Sequence, residues 1–220
     1  MKDWRLIYII FAKSEDKLYI SNKNRQAYFV LLSVCIIFVR INLKNCNVMF
    51  DKETYVQRRA LLKKNIGSGV LLFLGNDEQG LNYEDNAFRY RQDSTFLYYF
   101  GLSFAGLSAI IDIDEDKEII FGDELTIDHI VWMGTQPTLK EKSERVGIRE
   151  TLPSVAIISY LHKAVQKGQT VHYLPPYRPE HKLKLMDWLG VPPARQEGSV
   201  PFIRAVVAQR NYKSAEEIAE

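Results

Sequence analysis

Cysteine is almost missing from this chain of 220 residues: Cys35 and Cys46, eleven positions apart, are the two present, and both fall within the first 48 residues. No disulfide framework can hold the remainder together, and there is no CxxC motif for zinc or redox work. Basic runs are also lacking. No Lys/Arg run reaches five and the net charge is only +2, which excludes the phosphate-tracking surface that nucleic-acid binding requires. A hydrophobic run of transmembrane length is not evident either. Ala27 to Val39 (AYFVLLSVCIIFV) is thirteen residues without a charge, and as a helix it covers about 20 Å of a hydrocarbon core about 30 Å thick. The residues after it, Arg40-Ile41-Asn42-Leu43-Lys44, offer no small-x-small cleavage site, so an export signal is not indicated.

What is present has the balance of a soluble globular protein, with 46% apolar and 25% charged residues. That excludes disorder throughout and leaves room for one large domain or two small ones. Charge divides the chain in two. Residues 1–48 hold eight Lys/Arg against three acids, whereas the rest carries a small acidic excess. The first segment is rich in Ile, Asn and Lys and ends where Met49 opens a globular pattern. It is expected to be an extension outside the core, non-native or disordered, with a short membrane anchor or an ordered extra element as the alternatives.

From Met49 the pattern is one of alternating elements. Asp51 to Lys64 reads as an amphipathic helix with Tyr55, Val56, Leu61 and Leu62 apolar and Asp51 able to cap it. After Gly67 and Gly69 comes Val70 to Leu74 (VLLFL), a continuous apolar run expected to be a strand buried on both faces. Asp93 to Leu102 (DSTFLYYFGL) reads as a short aromatic helix capped by Asp93 or Ser94 and stopped by Gly101 in the left-handed conformation. Ala109 to Asp114 and Glu118 to Phe121 flank a charged turn and spell a hairpin. Ser154 to Lys167 is helical, Thr170 to Leu174 a strand, and Glu180 to Leu189 a helix, with Gly190, Pro192 and Pro193 as its stop. Strands interleaved with helices predict an α/β fold, and the hairpin makes the β-sheet mixed. Pro201 to Arg210 can be helical, and Ser214-Ala215-Glu216-Glu217 is a capping box that starts another helix. Only three residues follow, so truncation is expected.

Tyr83 to Leu102 (YEDNAFRYRQDSTFLYYFGL) resembles the signature of the aminopeptidase P N-terminal domain. So do the paired Arg58 and Arg59, the Trp132-x-Gly134 element behind an Ile-Phe-Gly-Asp strand end, and Lys213-Ser214-x-Glu216-Glu217-Ile218. Each motif is weak alone, and together they span about residues 49 to 220. The resemblance is to Xaa-Pro aminopeptidases of the creatinase and prolidase superfamily. It implies a mixed β-sheet flanked by helices over residues 49–205, then a linker and the start of a catalytic domain over 206–220. It also implies a two-domain enzyme that removes the residue preceding proline, using two manganese ions held by two aspartates, one histidine and two glutamates. None of that set can be assigned to this chain. His129, His162, His172 and His181 fit no ligand spacing such as HExxH and read as surface or partly buried histidines. The chain by itself is therefore expected to bind no cofactor and to hydrolyse nothing.

Three residues are substrate-mouth candidates by resemblance. Trp132 matches a tryptophan at the edge of the cleft, where its flat ring could stack on proline, and its alternative is a core anchor. Asp85 corresponds to an acid that reaches toward a neighbouring subunit, with a simple turn residue as the alternative. Arg91 could instead hold its loop through a bidentate ion pair. Phe96, Tyr98, Tyr99 and Phe100 are read as packing. The expected function is substrate gating and oligomerisation for the full enzyme, a cytoplasmic homo-oligomer acting on proline-containing peptides, with neither nucleic acid nor membrane as partner. The alternative is a stand-alone, non-catalytic module that binds a peptide or protein through the Trp132 edge.

Overall fold

Five strands form one mixed sheet because the apolar runs are long enough to be covered on both sides. The computed structural model describes residues 50–83, 86–213, 215 and 218; these lie within one compact unit, Asn47–Glu220. The expectations for residues 1–48, for Asp85 and for the Ser214–Glu217 capping box fall outside the described residues.

In chain order the elements are α1 (Lys52–Ile66), β1 (Val70–Leu74), β2 (Gly80–Tyr83), β3 (Asn86–Ala87), α2 (Ser94–Phe100), β4 (Ser108–Asp112), β5 (Lys117–Phe121), α3 (Ile127–Met133), α4 (Leu139–Glu144), β6 (Glu150–Leu152), α5 (Ala156–Gln166), β7 (Val171–Tyr173), α6 (Pro179–Leu189), a single 3₁₀ turn (Pro193–Arg195) and α7 (Val200–Asn211). The sheet order is β6-β5-β4-β1-β7, and β2 pairs with β3 in a separate small ribbon. The β1–β4 and β4–β5 pairs are antiparallel, while β1–β7 and β5–β6 are parallel. The predicted hairpin thus lies inside the sheet, with β6 added parallel to β5 on one side and β1 antiparallel to β4 on the other.

The period-2 alternation of a strand sends successive side chains to opposite faces. Leu71 and Phe73 face one core, where Ile111 and Ile120 join Tyr55 and Leu62 of α1, Phe96, Tyr99 and Phe100 of α2, and Phe202 of α7. Val70 and Leu72 face the other core, with Ile110, Ile119, Phe121, Ile157 and Leu161 of α5, and Leu185 of α6. Helices on both faces explain why VLLFL has no polar positions: neither face meets water. Phe73 sits at the centre of an aromatic group, its ring 5.4 Å from Tyr99, 5.0 Å from Phe100 and 5.2 Å from Phe202. The aromatic helix is packing, as read.

Helix α1 forms where expected, yet its buried face differs from the reading. Val56 and Leu61 are exposed, and the inward stripe is Tyr55, Arg58, Arg59 and Leu62. That is correct helical spacing occupied by two arginines, which a hydrophobic pattern counts as polar. Arg59 is fully buried. Its Nε donates to Glu118 at 2.8 Å, while Nη1 and Nη2 donate to the carbonyls of Tyr99 and Val146, each at 2.9 Å. Arg58 donates to the Tyr98 carbonyl and lies over the rings of Phe50 and Tyr98. Asp51 occupies the N-cap but makes no side-chain capping bond. Asp93 does cap α2, accepting from the amides of Thr95 and Phe96, and Gly101 closes it at φ 63.

Candidate functional site

Two surfaces stand at the edges of this frame, and each follows from how a loop is fastened. The first is the excursion from the end of β5 to α4. Its root is tied twice: Asp123 accepts from the Ser154 amide and hydroxyl at 3.0 and 2.6 Å, and the Glu124 carboxylate accepts from the Leu139 amide at 2.9 and 3.0 Å. A third tie is the capping box of α4, Thr138 with Glu141. Between these anchors α3 carries Ile127, Val131 and Trp132 into solvent, Trp132 being 86% exposed. A core-anchor role for Trp132 is therefore ruled out. So open an apolar run is uncommon on a protein surface.

The second surface lies at the carboxyl ends of the parallel pair β1 and β7. Here the Tyr90-Arg91-Gln92-Asp93 segment crosses the sheet end, with its residues divided by direction. Gln92 is buried. Its Oε1 accepts from the Asn76 and Asp93 amides at 2.8 and 2.9 Å, and its Nε2 donates to the carbonyls of Leu102 and Phe104. Tyr90 donates its hydroxyl to the Phe104 carbonyl at 2.8 Å. Burial, aided by the charge of Asp77, raises the Tyr90 pKa well above its ordinary value, so the hydroxyl keeps its proton for that bond. Arg91 points the other way and is exposed. Among the described residues no carboxylate pairs with Arg91. The loop is held by amide hydrogen bonds instead.

Arg89, Arg91 and Arg178 line a cavity of about 330 Å³ at this sheet end. Asn76, Asp77, Phe88 and Tyr177 complete the part of the wall that bears on its chemistry. Asp77 is bonded to Lys184 at 2.7 Å and Arg178 lies 3.6 Å from Glu180. Behind the wall, His181 is buried and donates Nε2–H to the Gly75 carbonyl at 3.0 Å, with burial lowering its pKa. His172, half-buried, hydrogen-bonds Ser199 through Nδ1 at 2.7 Å and its pKa is likewise lowered by burial. His162 is exposed. No described cavity is lined by both Arg91 and Trp132, so these two sequence candidates share no described pocket. Arg178 and Asn76 were not singled out from sequence; the Pro-Pro-Tyr-Arg-Pro stretch after β7, a rigid turn at a strand end, is the one available signal.

Among the described residues no group of three or more His, Cys, Asp or Glu side chains converges to hold a metal ion. No described helix is long and apolar enough to cross a membrane.

Fold and surfaces together define the class: an α/β domain with helices on both faces of a mixed sheet, offering contact surfaces and no described metal cluster. Residues 55–173 match the aminopeptidase P N-terminal domain, and the chain belongs to that family. A probable Xaa-Pro aminopeptidase of Chaetomium globosum is 30% identical over 112 residues, covering 49% of this chain and 18% of that protein. An Xaa-Pro dipeptidase of Homo sapiens is 33% identical over 90 residues, covering 40% of this chain and 18% of that protein. Among solved structures, Pseudomonas aeruginosa aminopeptidase PepP superposes with a TM-score of 0.65 at 23% identity, over 78% of this chain and 41% of its own. Aminopeptidase P from E. coli, solved with the inhibitor Pro-Leu, gives 0.59 at 20% identity over 77% and 41%. At those identities the likeness is one of fold. The chain spans under a fifth of the length of these two curated relatives and about two fifths of these structures.

Proposed function

We propose that this domain forms one wall of the substrate mouth of a manganese-dependent Xaa-Pro aminopeptidase, working against a separate metal-bearing catalytic domain. The observation that carries this reading is Trp132, 86% exposed on a short helix whose roots are fastened by Asp123 and Glu124. A flat ring held in solvent on anchored supports can stack on a proline ring and orient a peptide as it arrives. The printed names of the relatives, Xaa-Pro aminopeptidase and Xaa-Pro dipeptidase, support a proline-directed peptide reaction. The metal would supply an activated hydroxide in the catalytic domain; the residues of this chain orient the peptide and keep water from it. The apolar face of α3 is also the surface proposed for subunit contact in a homo-oligomer, and a cysteine-free stretch from Met49 onward agrees with a reducing cytoplasmic setting. The same exposed edge would serve a stand-alone peptide-binding or protein-binding module.

The test is kinetic. In an enzyme assembled from this domain and its catalytic partner domain, Trp132→Ser is expected to lower kcat/KM for an Xaa-Pro peptide by about tenfold, mainly through KM, as loss of one stacking contact implies. An unchanged kcat/KM would remove Trp132 from the mouth. Hydrolysis of the peptide by the 220-residue chain alone would refute the division of labour itself.

A further inference from the structure

The cavity at the carboxyl ends of β1 and β7 gathers three arginines in its wall, and the Trp132 reading leaves it unused. Open α/β sheets take ligands beyond the carboxyl ends of their parallel strands, and β1–β7 is such a pair. Three guanidinium groups line it: Arg89 and Arg91 are exposed and reach no carboxylate among the described residues, and Arg178 lies 3.6 Å from Glu180. Asp77, the one acid among the described residues of the wall, is already bonded to Lys184. Nearby Asp93 keeps its charge but is not among the lining residues, and its oxygens accept from the Thr95 and Phe96 amides and from the Tyr177 hydroxyl. The wall therefore carries an excess of positive charge and asks for an anion.

A second feature narrows the anion. Asn76 is 4% exposed and its Nδ2 donates to the Arg91 carbonyl, but its Oδ1 is buried without a hydrogen-bond partner. A buried acceptor left unmatched is costly, and it calls for an N–H or O–H donor. Inorganic phosphate can meet both needs, with acceptors for the arginines and an O–H donor, but it has nothing for an aromatic wall. A peptide end brings a carboxylate, an adjoining amide N–H and side chains besides. The rings of Phe88 and Tyr177, exposed on the same wall, suit an apolar or proline side chain. The volume of about 330 Å³ lies at the small end of ligand pockets and fits a few residues.

We propose that this cavity binds the carboxylate end of a short peptide, with Arg89 and Arg91 on the carboxylate, Arg178 supporting them, and Asn76 Oδ1 accepting from the adjoining amide. This adds a second point of peptide contact to the domain under the proposed function. It shares no residue with the α3 face, so the two readings fail separately.

The experiment is direct binding to the full chain by calorimetry or by chemical-shift titration, comparing Ala-Pro-Ala as free acid, the same peptide as C-terminal amide, and Ala-Pro-Glu as C-terminal amide. The free acid is expected to bind and the Ala-Pro-Ala amide to bind at least about tenfold more weakly, the scale of a charge-assisted bidentate contact. If Ala-Pro-Glu amide recovers the affinity, a side-chain carboxylate serves as well as a terminal one. The double variant Arg89→Gln/Arg91→Gln is expected to lose binding of the acid by about tenfold or more. Both residues are exposed, so its melting curve should match the parent. Trp132→Ser should leave this binding unchanged. Equal binding of acid and amide, full affinity in the double variant, or no saturable binding of the acid up to about 10 mM would each overturn the proposal.

Discussion

Arg59 is the residue whose loss should cost this fold most for its size, and the structure says why. Its guanidinium has no solvent exposure, and its three bonds tie α1 to β5 through Glu118, to the end of α2 through Tyr99, and to the segment after α4 through Val146. Arg59→Met keeps much of the volume and removes every donor. The Tyr99 and Val146 carbonyls are then buried with nothing to accept from, at about 1–3 kcal/mol each. Glu118, whose side chain is only 19% exposed, keeps its contact with Lys63 at 3.1 Å, so its own loss is partial. The sum is about 3–5 kcal/mol, the range for breaking a buried pair from one side, against a total stability of about 5–15 kcal/mol for a domain. With a urea m-value of about 2 kcal/mol per molar, the unfolding midpoint should fall by roughly 1.5–2.5 M. Arg59→Lys keeps a charge, but one ammonium cannot copy a fork that reaches three acceptors; its midpoint should lie between the two. A drop under about 0.5 M for Arg59→Met, or an Arg59→Lys protein as stable as the parent, would refute the claim that the fork closes this core.

Gly101→Ala should cost about 2–3 kcal/mol, because φ is 63 and the added methyl would collide with the Tyr55 ring, whereas Gly190→Ala, at φ 67 with open space around it, should cost about 1 kcal/mol. Equal midpoints for the two in urea would remove the collision from the account. Acidification should destabilise the fold. Burial lowers the pKa of His181 and of His172, so the unfolded chain takes up these protons first; their contribution is complete above about pH 6.5 and is lost as pH falls through the folded values, at no more than about 1.4 kcal/mol per pH unit each. Urea midpoints measured from about pH 7.5 down to about 5 should fall, and His181→Asn should flatten the slope; a midpoint that rises on acidification contradicts the sign. Trp132→Ser should change stability by less than about 0.5 kcal/mol, since an exposed side chain supports no core. A larger loss would return Trp132 to a structural role.

The elements with unbroken apolar runs were legible without any structure, because a strand covered on both faces leaves a mark in composition. VLLFL, the hairpin around residues 115–117 and the aromatic helix capped by Asp93 lie within a residue or two of where the pattern put them. Short elements with polar surfaces were not legible. The β2–β3 ribbon has exposed or half-exposed residues along its length, so no periodicity marks it, and α3 shows apolar residues that tertiary context leaves outside. Membership of the aminopeptidase P N-terminal domain family was carried by the Tyr83–Leu102 signature, yet the signature does not say which of its side chains turn outward.

Local chemistry determined the helices, strands and caps of this protein, because propensity, periodicity and capping act over a few neighbours along the chain. Tertiary structure alone decided three things. Arg58 and Arg59 are inside because carbonyls from α2 and the segment after α4 meet them there. Trp132 is outside because Asp123 and Glu124 fasten the roots of its loop and no described residue covers the helix between. Arg89 and Arg91 share one wall with Arg178, 87 residues beyond Arg91, because the parallel pairing of β1 with β7 brings two loops to the same end of the sheet.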